Sequence, residues 1–177
     1  YVFDGEIRCM VVFNSNLWFG GSFVNETSTT TNLNYIAYLD NSEVLQSAFW
    51  SSLASKGVNN IVNTMVVDYT TINYLYFGGD FTADIGNQLG VLKLAIVDTA
   101  LILYDTDGQT IGLNGNGFTG GNITQIEISA SVADSMAVCG DFTDFNSNIY
   151  GTISCPNFCI WRFSNSSSNA GALYPIL

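Results

Sequence analysis

The residues best suited to bind a cation are two aspartates near the middle of the chain. Asp105-Thr-Asp107-Gly108 matches the opening of a calcium-binding loop, in which alternate carboxylates supply the oxygen ligands. The third acidic position holds Gln109, and no Glu follows at the expected offset. An Asp-Gly pair between two strands is also a common tight hairpin turn. The sequence therefore favours a turn, with a calcium site at Asp105 and Asp107 as the weaker interpretation.

The chain contains no histidine, and this restricts the catalytic chemistry that it can perform. Ser-His-Asp and Cys-His catalysis and His-ligated metal sites all need an imidazole. Paired carboxylates of the kind used in glycoside hydrolysis are still available, although no pair of acidic residues stands apart from turns. We therefore expect a protein that is not an enzyme and has no cofactor; catalysis through acidic residues is the weakest hypothesis.

Four cysteines are present, at positions 9, 139, 155 and 159. An even number is compatible with disulfides but does not require them. Cys155-Pro-Asn-Phe-Cys159 is too widely spaced for a Cys-x-x-Cys redox motif, and a zinc site is poorly supported without His or a second close pair. We expect either buried thiols or one local bridge, for which Cys155 and Cys159 are the possible pair.

Three sequons make Asn25, Asn122 and Asn165 candidates for N-glycosylation. Only 11% of the residues are charged, and the polar remainder is mainly Asn, Ser, Thr and Gly. An uncharged polar surface of this kind is typical of secreted or particle-surface β-proteins. We therefore expect the chain to be extracellular, on a cell surface or on a virion surface.

The charge balance excludes several classes of partner. The net charge of −11 repels phosphate backbones, so nucleic-acid binding is not expected. No window of about 18 apolar residues exists, so membrane insertion is not expected either. With 47% of its 177 residues hydrophobic, the chain can bury a substantial core.

One eight-residue motif occurs three times in the chain, and its spacing predicts how the remaining elements are arranged. Leu75–Thr82 reads L-Y-F-G-G-D-F-T, and related copies occupy Leu17–Val24 and Met136–Thr143, about 60 residues apart. The motif residues are Gly20, Gly21, Phe23, Gly78, Gly79, Asp80, Phe81, Gly140, Asp141 and Phe142. In the third copy Cys139 replaces the first glycine, so a Cβ is tolerated there.

Each motif residue type has a predicted structural role. Two adjacent glycines on a central strand allow a close backbone approach or a bulge. The phenylalanines after the glycines are expected to pack between neighbouring repeats. Asp80 and Asp141 are expected to bond nearby backbone N–H groups, and Ser22 to do so more weakly.

Every motif copy has the same predicted neighbours, which gives four short strands per repeat. The predicted first strands are Ile7–Phe13, Ile61–Val67 and Ile123–Ser129, and the third strands are 35–39, 92–97 and 158–163. The predicted fourth strands of the first two repeats are 48–53 and 109–113. The apolar runs at 10–13 and 65–67 predict strands that are buried on both faces. The prediction is an all-β chain of three four-stranded antiparallel propeller blades, at about 5–56, 57–116 and 117–177.

The motif copies and the third strand Ile36–Asp40 resemble Kelch-like repeats, and most closely their Gly-Gly-Asp-Phe-Thr variety. Such repeats occur in cell-surface, secreted and large-virus proteins, and the resemblance covers about residues 5 to 163. It implies a β-propeller, although Trp50 and Trp161 lie on other strands than in standard Kelch blades. Three blades cannot close a ring, since propellers need four to eight.

These observations predict a structural or interaction module within a larger propeller on a cell, filament or virus-particle surface. Its expected partners are further blades of the same polypeptide or other subunits, because Tyr1–Phe3 has the character of the end of a preceding strand and Ala172–Leu177 is apolar. The alternative is a carbohydrate-binding propeller that stacks Trp18, Trp50 or Tyr104 on glycans. Packing between blades is the favoured interpretation of these aromatic residues.

Overall fold

All regular elements in the described part of the protein are β-strands, which confirms the predicted all-β class. The computed structural model describes residues 1–28, 31–50, 55–68, 74–82, 94–97, 103–104, 117–129, 135–147, 151–163 and 173–175. The strands are β1 Ile7–Phe13, β2 Asn16–Gly21, β3 Asn25–Glu26, β4 Thr31–Asn32, β5 Ile36–Leu39, β6 Leu45–Ser47, β7 Phe49–Trp50, β8 Ser55–Lys56, β9 Val62–Asp68, β10 Tyr74–Gly79, β11 Leu94–Val97, β12 Leu103–Tyr104, β13 Gly117–Ile128, β14 Ser135–Ser147, β15 Gly151–Ser154, β16 Phe158–Phe163 and β17 Leu173–Pro175.

Three antiparallel sheets follow one another along the chain, each with its strands in sequence order. The first sheet is β1-β2-β5-β6, the second is β9-β10-β11-β12, and the third is β13-β14-β16-β17 with β15 paired to β14. In each sheet the glycine-motif strand lies between the predicted first and third strands. The predicted order of these three strands is therefore confirmed in every repeat.

The predicted fourth strand of the first sheet was wrong, because the chain reverses earlier than expected. In the first sheet the fourth strand is β6, which pairs Leu45 with Leu39. The carboxylate of Asp40 accepts hydrogen bonds from the backbone N–H groups of Ser42 (2.9 Å) and Val44 (3.0 Å), and so stabilises a tight turn directly after β5. The segment predicted at 48–53 instead begins a separate hairpin of β7 and β8. In the second sheet the fourth strand is β12, and the predicted segment 109–113 lies outside the described residues.

The second glycine of each motif copy makes room for the backbone of the first strand. A Cβ on Gly21, Gly79 or Gly140 would collide with the carbonyl oxygen of the residue just before its partner on the first strand: Glu6, Ile61 and Asn122. Two residues further along, all three first strands contain a bulge at the same place, where one additional residue (Arg8, Asn63 or Thr124) is inserted opposite the two glycine positions.

The bulged residue of each of the first two sheets forms a hydrogen bond with the sheet after it in the stack. The guanidinium of Arg8 donates to the amide oxygen of Asn63 (2.7 Å), and the amide nitrogen of Asn63 donates to the carbonyl of Ile123 (2.9 Å). The residue after the glycines adds a bond within its own sheet: Ser22 accepts from the Glu6 backbone N–H (3.0 Å), and Asp141 accepts from the backbone N–H of Asn122. Asp80 accepts from the side-chain amide of Asn60 (3.0 Å).

Two buried clusters hold the three sheets together. The cluster between the first and second sheets contains Phe13, Trp18, Ile36, Val62, Val67, Leu75, Phe77 and Phe81. The cluster between the second and third sheets contains Tyr74, Tyr76, Ile96, Phe118, Ile123, Ile126, Met136, Val138, Phe142 and Phe145. Alternate residues of β10 belong to the two clusters, so this central strand is buried on both faces.

Tyr1–Phe3 was expected to be the end of a strand of a preceding sheet, but this segment packs on the first sheet instead. Phe3 makes an isolated antiparallel bridge to Glu26, and its ring packs 5.3 Å from that of Phe19 and 5.2 Å from that of Phe23. The carboxylate of Glu26 is buried and accepts the backbone N–H of Val2 (3.2 Å). The segment therefore covers the glycine-motif end of the first sheet.

We predict that Gly79→Ala lowers the free energy of unfolding by about 3 kcal/mol, the upper range for overpacking, because the new methyl group meets a backbone carbonyl that cannot rotate away. Cys139→Ala, in the third copy of the same motif, is the control and should change it by less than about 1.5 kcal/mol. Denaturant unfolding followed by tryptophan fluorescence measures both values. Equal losses would contradict the steric role of the second glycine.

Candidate interaction surface

Three apolar positions recur on the first strand of every sheet, and strand pairing defines their equivalence. Ile7, Val62 and Ile123 each pair with the second glycine of their motif. The second set of equivalents is Met10, Met65 and Ile126, and the third is Val12, Val67 and Ile128. In the second and third sheets these side chains face the preceding sheet. In the first sheet they face the side on which no sheet of the described chain packs.

In the second and third sheets these positions form the contact with the sheet before. Val62 and Val67 are buried in the cluster shared with the first sheet, and Met65 packs against it. Ile123 and Ile126 are buried in the cluster shared with the second sheet, and Ile128 packs against it. The three positions are therefore the standard sheet–sheet contact of this repeat.

The same positions on the first sheet are exposed to solvent. Ile7 is 42% exposed, Met10 63% and Val12 57%, although each has a buried or packed equivalent in both other sheets. The prediction that the run at 10–13 is buried on both faces was wrong for Met10 and Val12. Only its other face, carrying Val11 and Phe13, packs against the second sheet. We call the surface formed by Ile7, Met10, Val12 and Leu17 the outer face of the first sheet.

A cleft of about 570 Å³ opens at one end of this outer face. Its floor is apolar, and its rim carries hydroxyl, amide and carboxylate groups. The lining residues are Tyr1, Val12, Ser15, Asn16, Leu17, Leu39, Asp40, Asn41 and Glu43. Clefts of this size with an apolar floor and a few polar groups are the usual form of a binding site.

The rim of the cleft is fixed by hydrogen bonds. The Tyr1 hydroxyl donates to the Glu43 carbonyl and accepts from the Leu45 N–H, both at 3.1 Å. Backbone N–H donation from Val44, followed by the side-chain amide of Gln46, lowers the pKa of Asp40 below its usual value. The carboxylate of Asp40 is thus ionised, and its oxygens accept hydrogen bonds within the turn between β5 and β6.

The first glycine of the motif lies at each sheet–sheet contact. A Cβ on Gly20 would lie 2.5 Å from a Val62 methyl, and one on Gly78 would lie 2.7 Å from an Ile123 methyl. The branched side chain of the next sheet therefore fits over a glycine. Cys139 occupies the equivalent position in the third sheet, where no further sheet of the described chain packs.

The third sheet ends in a different outer face. Phe158 and Ile160 are 52% and 40% exposed there, whereas Ile36 and Ile96, their equivalents, are fully buried. Beside them, the exposed Gln125 and Glu127 are joined by a 3.0 Å hydrogen bond. This face is therefore partly polar, unlike the outer face of the first sheet.

The aromatic residues considered for glycan stacking are not gathered at a surface site. Trp18 is fully buried and stacks on Tyr38, with ring centroids 4.7 Å apart, so the packing interpretation holds for it. The side chains of Trp50 and Tyr104 lie outside the described residues, as do Asp105 and Asp107 of the weak calcium hypothesis. No group of three or more Cys, Asp or Glu side chains suited to a metal occurs among the residues that the structure describes.

The other predicted residues are placed individually. Cys155 and Cys159 are not joined by a disulfide; the Cys159 thiol instead donates to the carbonyl oxygen of Cys155 at 3.8 Å. Of the sequons, Asn25 is half-buried and its amide nitrogen donates to Asp4 (2.8 Å), Asn122 is half-buried on β13, and Asn165 lies outside the described residues.

The outer face of the first sheet was missed by reading the sequence one repeat at a time. Aligning the three first strands on the glycine motif would have exposed the signal, since each has a branched or long apolar residue at the same three positions. Three apolar positions repeated in this way indicate a surface that packs against the preceding sheet. The first repeat has no preceding sheet in the described chain, so there the same surface is exposed.

Comparison of the chain with protein-family models, with characterised proteins and with solved structures finds no match. Among the described residues there is also no helix long and apolar enough to cross a membrane. The case for function therefore depends on the geometry of the sheets.

We predict that Ile126→Ala lowers the free energy of unfolding by about 3 kcal/mol, because it leaves a cavity in the contact between the second and third sheets. Met10→Ala, at the equivalent but exposed position, should change it by no more than about 0.5 kcal/mol. Denaturant titration of both variants gives the comparison. A similar loss in Met10→Ala would mean that the outer face is covered within the chain itself.

We predict that Cys9 resists alkylation in the folded chain. Burial raises the pKa of its thiol to about 12, so the nucleophilic thiolate is scarce at pH 8. Iodoacetamide labelling at pH 8, quantified by peptide mass spectrometry, should be more than about tenfold slower in native buffer than in denaturant. Equal rates would show that the contact between the first two sheets opens readily.

Proposed function

We propose that this chain is a non-enzymatic structural and interaction module, part of a larger β-propeller of the Kelch-like Gly-Gly-Asp-Phe-Thr type. Its partners are further blades of the same polypeptide or other subunits of an assembly. Its place is extracellular, at the surface of a cell, a filament or a virus particle.

The observation that carries the proposal is the exposed outer face of the first sheet. Equivalent positions are covered by a neighbouring sheet in both internal contacts, while Ile7, Met10 and Val12 are open. Burial of apolar surface is worth about 25 cal/mol per Å², so covering these side chains favours association. Exposed apolar patches of this kind mark interaction sites or aggregation hazards.

The stacking of the sheets supports the propeller. Three sheets with strands in sequence order pack face to face in chain order, and each of the first two presents its glycine strand to the next. Radial repetition of four-stranded sheets is the construction of a propeller, and it leaves an open face at each end of an incomplete array. The uncharged polar composition supports the extracellular location.

We predict that residues 1–177 expressed alone associate as their concentration rises, and that Met10→Lys with Val12→Lys reduces this association by placing charge on the outer face. Multi-angle light scattering gives the mass of both chains, and circular dichroism confirms that the variant keeps its sheets. A matched Gln125→Lys variant adds charge to the third sheet instead. A wild-type chain that stays monomeric and unfolds cooperatively would overturn the proposed function.

A further inference from the structure

We propose that the outer face of the first sheet binds a β-strand of the pattern aromatic-x-Gly, presented by a further glycine-motif repeat. The third sheet of a second copy of this chain does not fit as the occupant. This inference rests on the proposed function and names the chemistry of the partner at the same surface.

Both internal contacts use the same two features of the presenting strand. Trp18 and Gly20 lie two residues apart on β2, so they share the face toward the second sheet. Gly20 lies under Val62, and Trp18 joins the buried cluster that contains Val67 and Leu75. An aromatic side chain and a glycine are therefore the groups that the first sheet offers to the second.

The second contact repeats this arrangement with different side chains. Tyr76 and Gly78 lie two residues apart on β10 and face the third sheet. Gly78 lies under Ile123, and Tyr76 joins the buried cluster that contains Met136 and Ile126. The aromatic-x-Gly pattern is thus the common feature of both presenting strands.

The exposed part of the outer face of the first sheet offers the receiving half of the same contact, while Phe19, the equivalent of Phe77 on this face, is covered by Phe3. Ile7 is the equivalent of Val62 and Ile123, and so it needs a glycine opposite. Val12 and Leu17, the equivalents of Val67 and Leu75, line the cleft of about 570 Å³. A cleft of this size accepts ligands larger than one aromatic side chain, so the residue two positions before the glycine can enter it.

A second copy of the chain cannot supply this strand through its third sheet. Ala137 stands where Trp18 and Tyr76 stand in the other sheets, and it is too short to fill the cleft. Cys139 places a Cβ where the Ile7 side chain has to fit. Glu127, the equivalent of Val11 and Val66, would bring a carboxylate into an apolar contact.

The test converts the third sheet into a presenting sheet and varies only the glycine position. Two variants of the full chain both carry Ala137→Trp and Glu127→Val; one adds Cys139→Gly and the other Cys139→Val. Sedimentation velocity measures self-association, and we expect the Gly variant to associate at least about tenfold more tightly, because Val overpacks the contact with Ile7. General hydrophobic attraction would favour Val, so equal or tighter association of the Val variant overturns the inference.

A further substitution tests the receiving side. Ile7→Phe added to the Gly variant increases the apolar area but no longer fits over the glycine, so association should fall to the level of the Val variant. Unchanged association would place the contact elsewhere and overturn the inference. Circular dichroism of each variant shows whether its sheets persist.

A measurement that leaves the third sheet unaltered tests the cleft alone. The ¹⁹F NMR signal of 5-fluoroindole should broaden when the wild-type chain is added, because the probe binds in the cleft. The signal should stay narrow with Leu17→Trp, whose side chain fills the cleft from within. The matched control Ile160→Trp adds an aromatic residue to the other outer face and should bind the probe as the wild type does. No broadening with the wild type, or equal broadening in all three chains, overturns the aromatic part of the inference. Either failure leaves the proposed function standing, since that is judged by the wild-type association and its loss on adding Lys to the outer face.

Discussion

The contact on which the structure depends is the approach of a backbone carbonyl to the second glycine of each motif. Gly21, Gly79 and Gly140 each lie against the carbonyl of the residue just before their partner on the first strand, with no space for a Cβ. The bulge that follows has the same position in all three sheets. The bulge decides which first-strand residues point toward the preceding sheet and which point toward the next one. In this way it places Val62 over Gly20 and Ile123 over Gly78.

This geometry gives a repeat two different contact surfaces, one for the sheet before it and one for the sheet after it. The second and third sheets receive the previous sheet with their first strand, and the first and second sheets present an aromatic residue and a glycine to the next. Hydrogen bonds at the bulges, from Arg8 to Asn63 and from Asn63 to Ile123, follow the same order. In the first sheet the equivalent first-strand residues Ile7, Met10 and Val12 are exposed, and an exposed apolar patch of this kind favours association.

The sequence predicted the repeat, the all-β class and the order of the first three strands, because glycine pairs and apolar runs are local signals. The fourth strand was misplaced because the turn depends on the Asp40 carboxylate bonding backbone N–H groups, which no apolar pattern records. The exposure of Met10 and Val12 was also missed, since an apolar run does not reveal whether a neighbouring sheet is present. Trp18, one of the aromatics considered for glycans, lies in the core because its face of β2 packs against the second sheet.

The central claim is that the outer face of the first sheet is covered by protein in its natural setting. The three methionines of the chain report on it directly, because Met10 and Met65 are equivalent, yet Met10 is 63% exposed while Met65 packs inside a contact and Met136 is buried. Oxidation by hydrogen peroxide, read by peptide mass spectrometry, should modify Met10 fastest in the isolated chain. In the protein purified from its source, the account predicts that Met10 becomes as protected as Met65. Rapid oxidation of Met10 in that intact protein would contradict it.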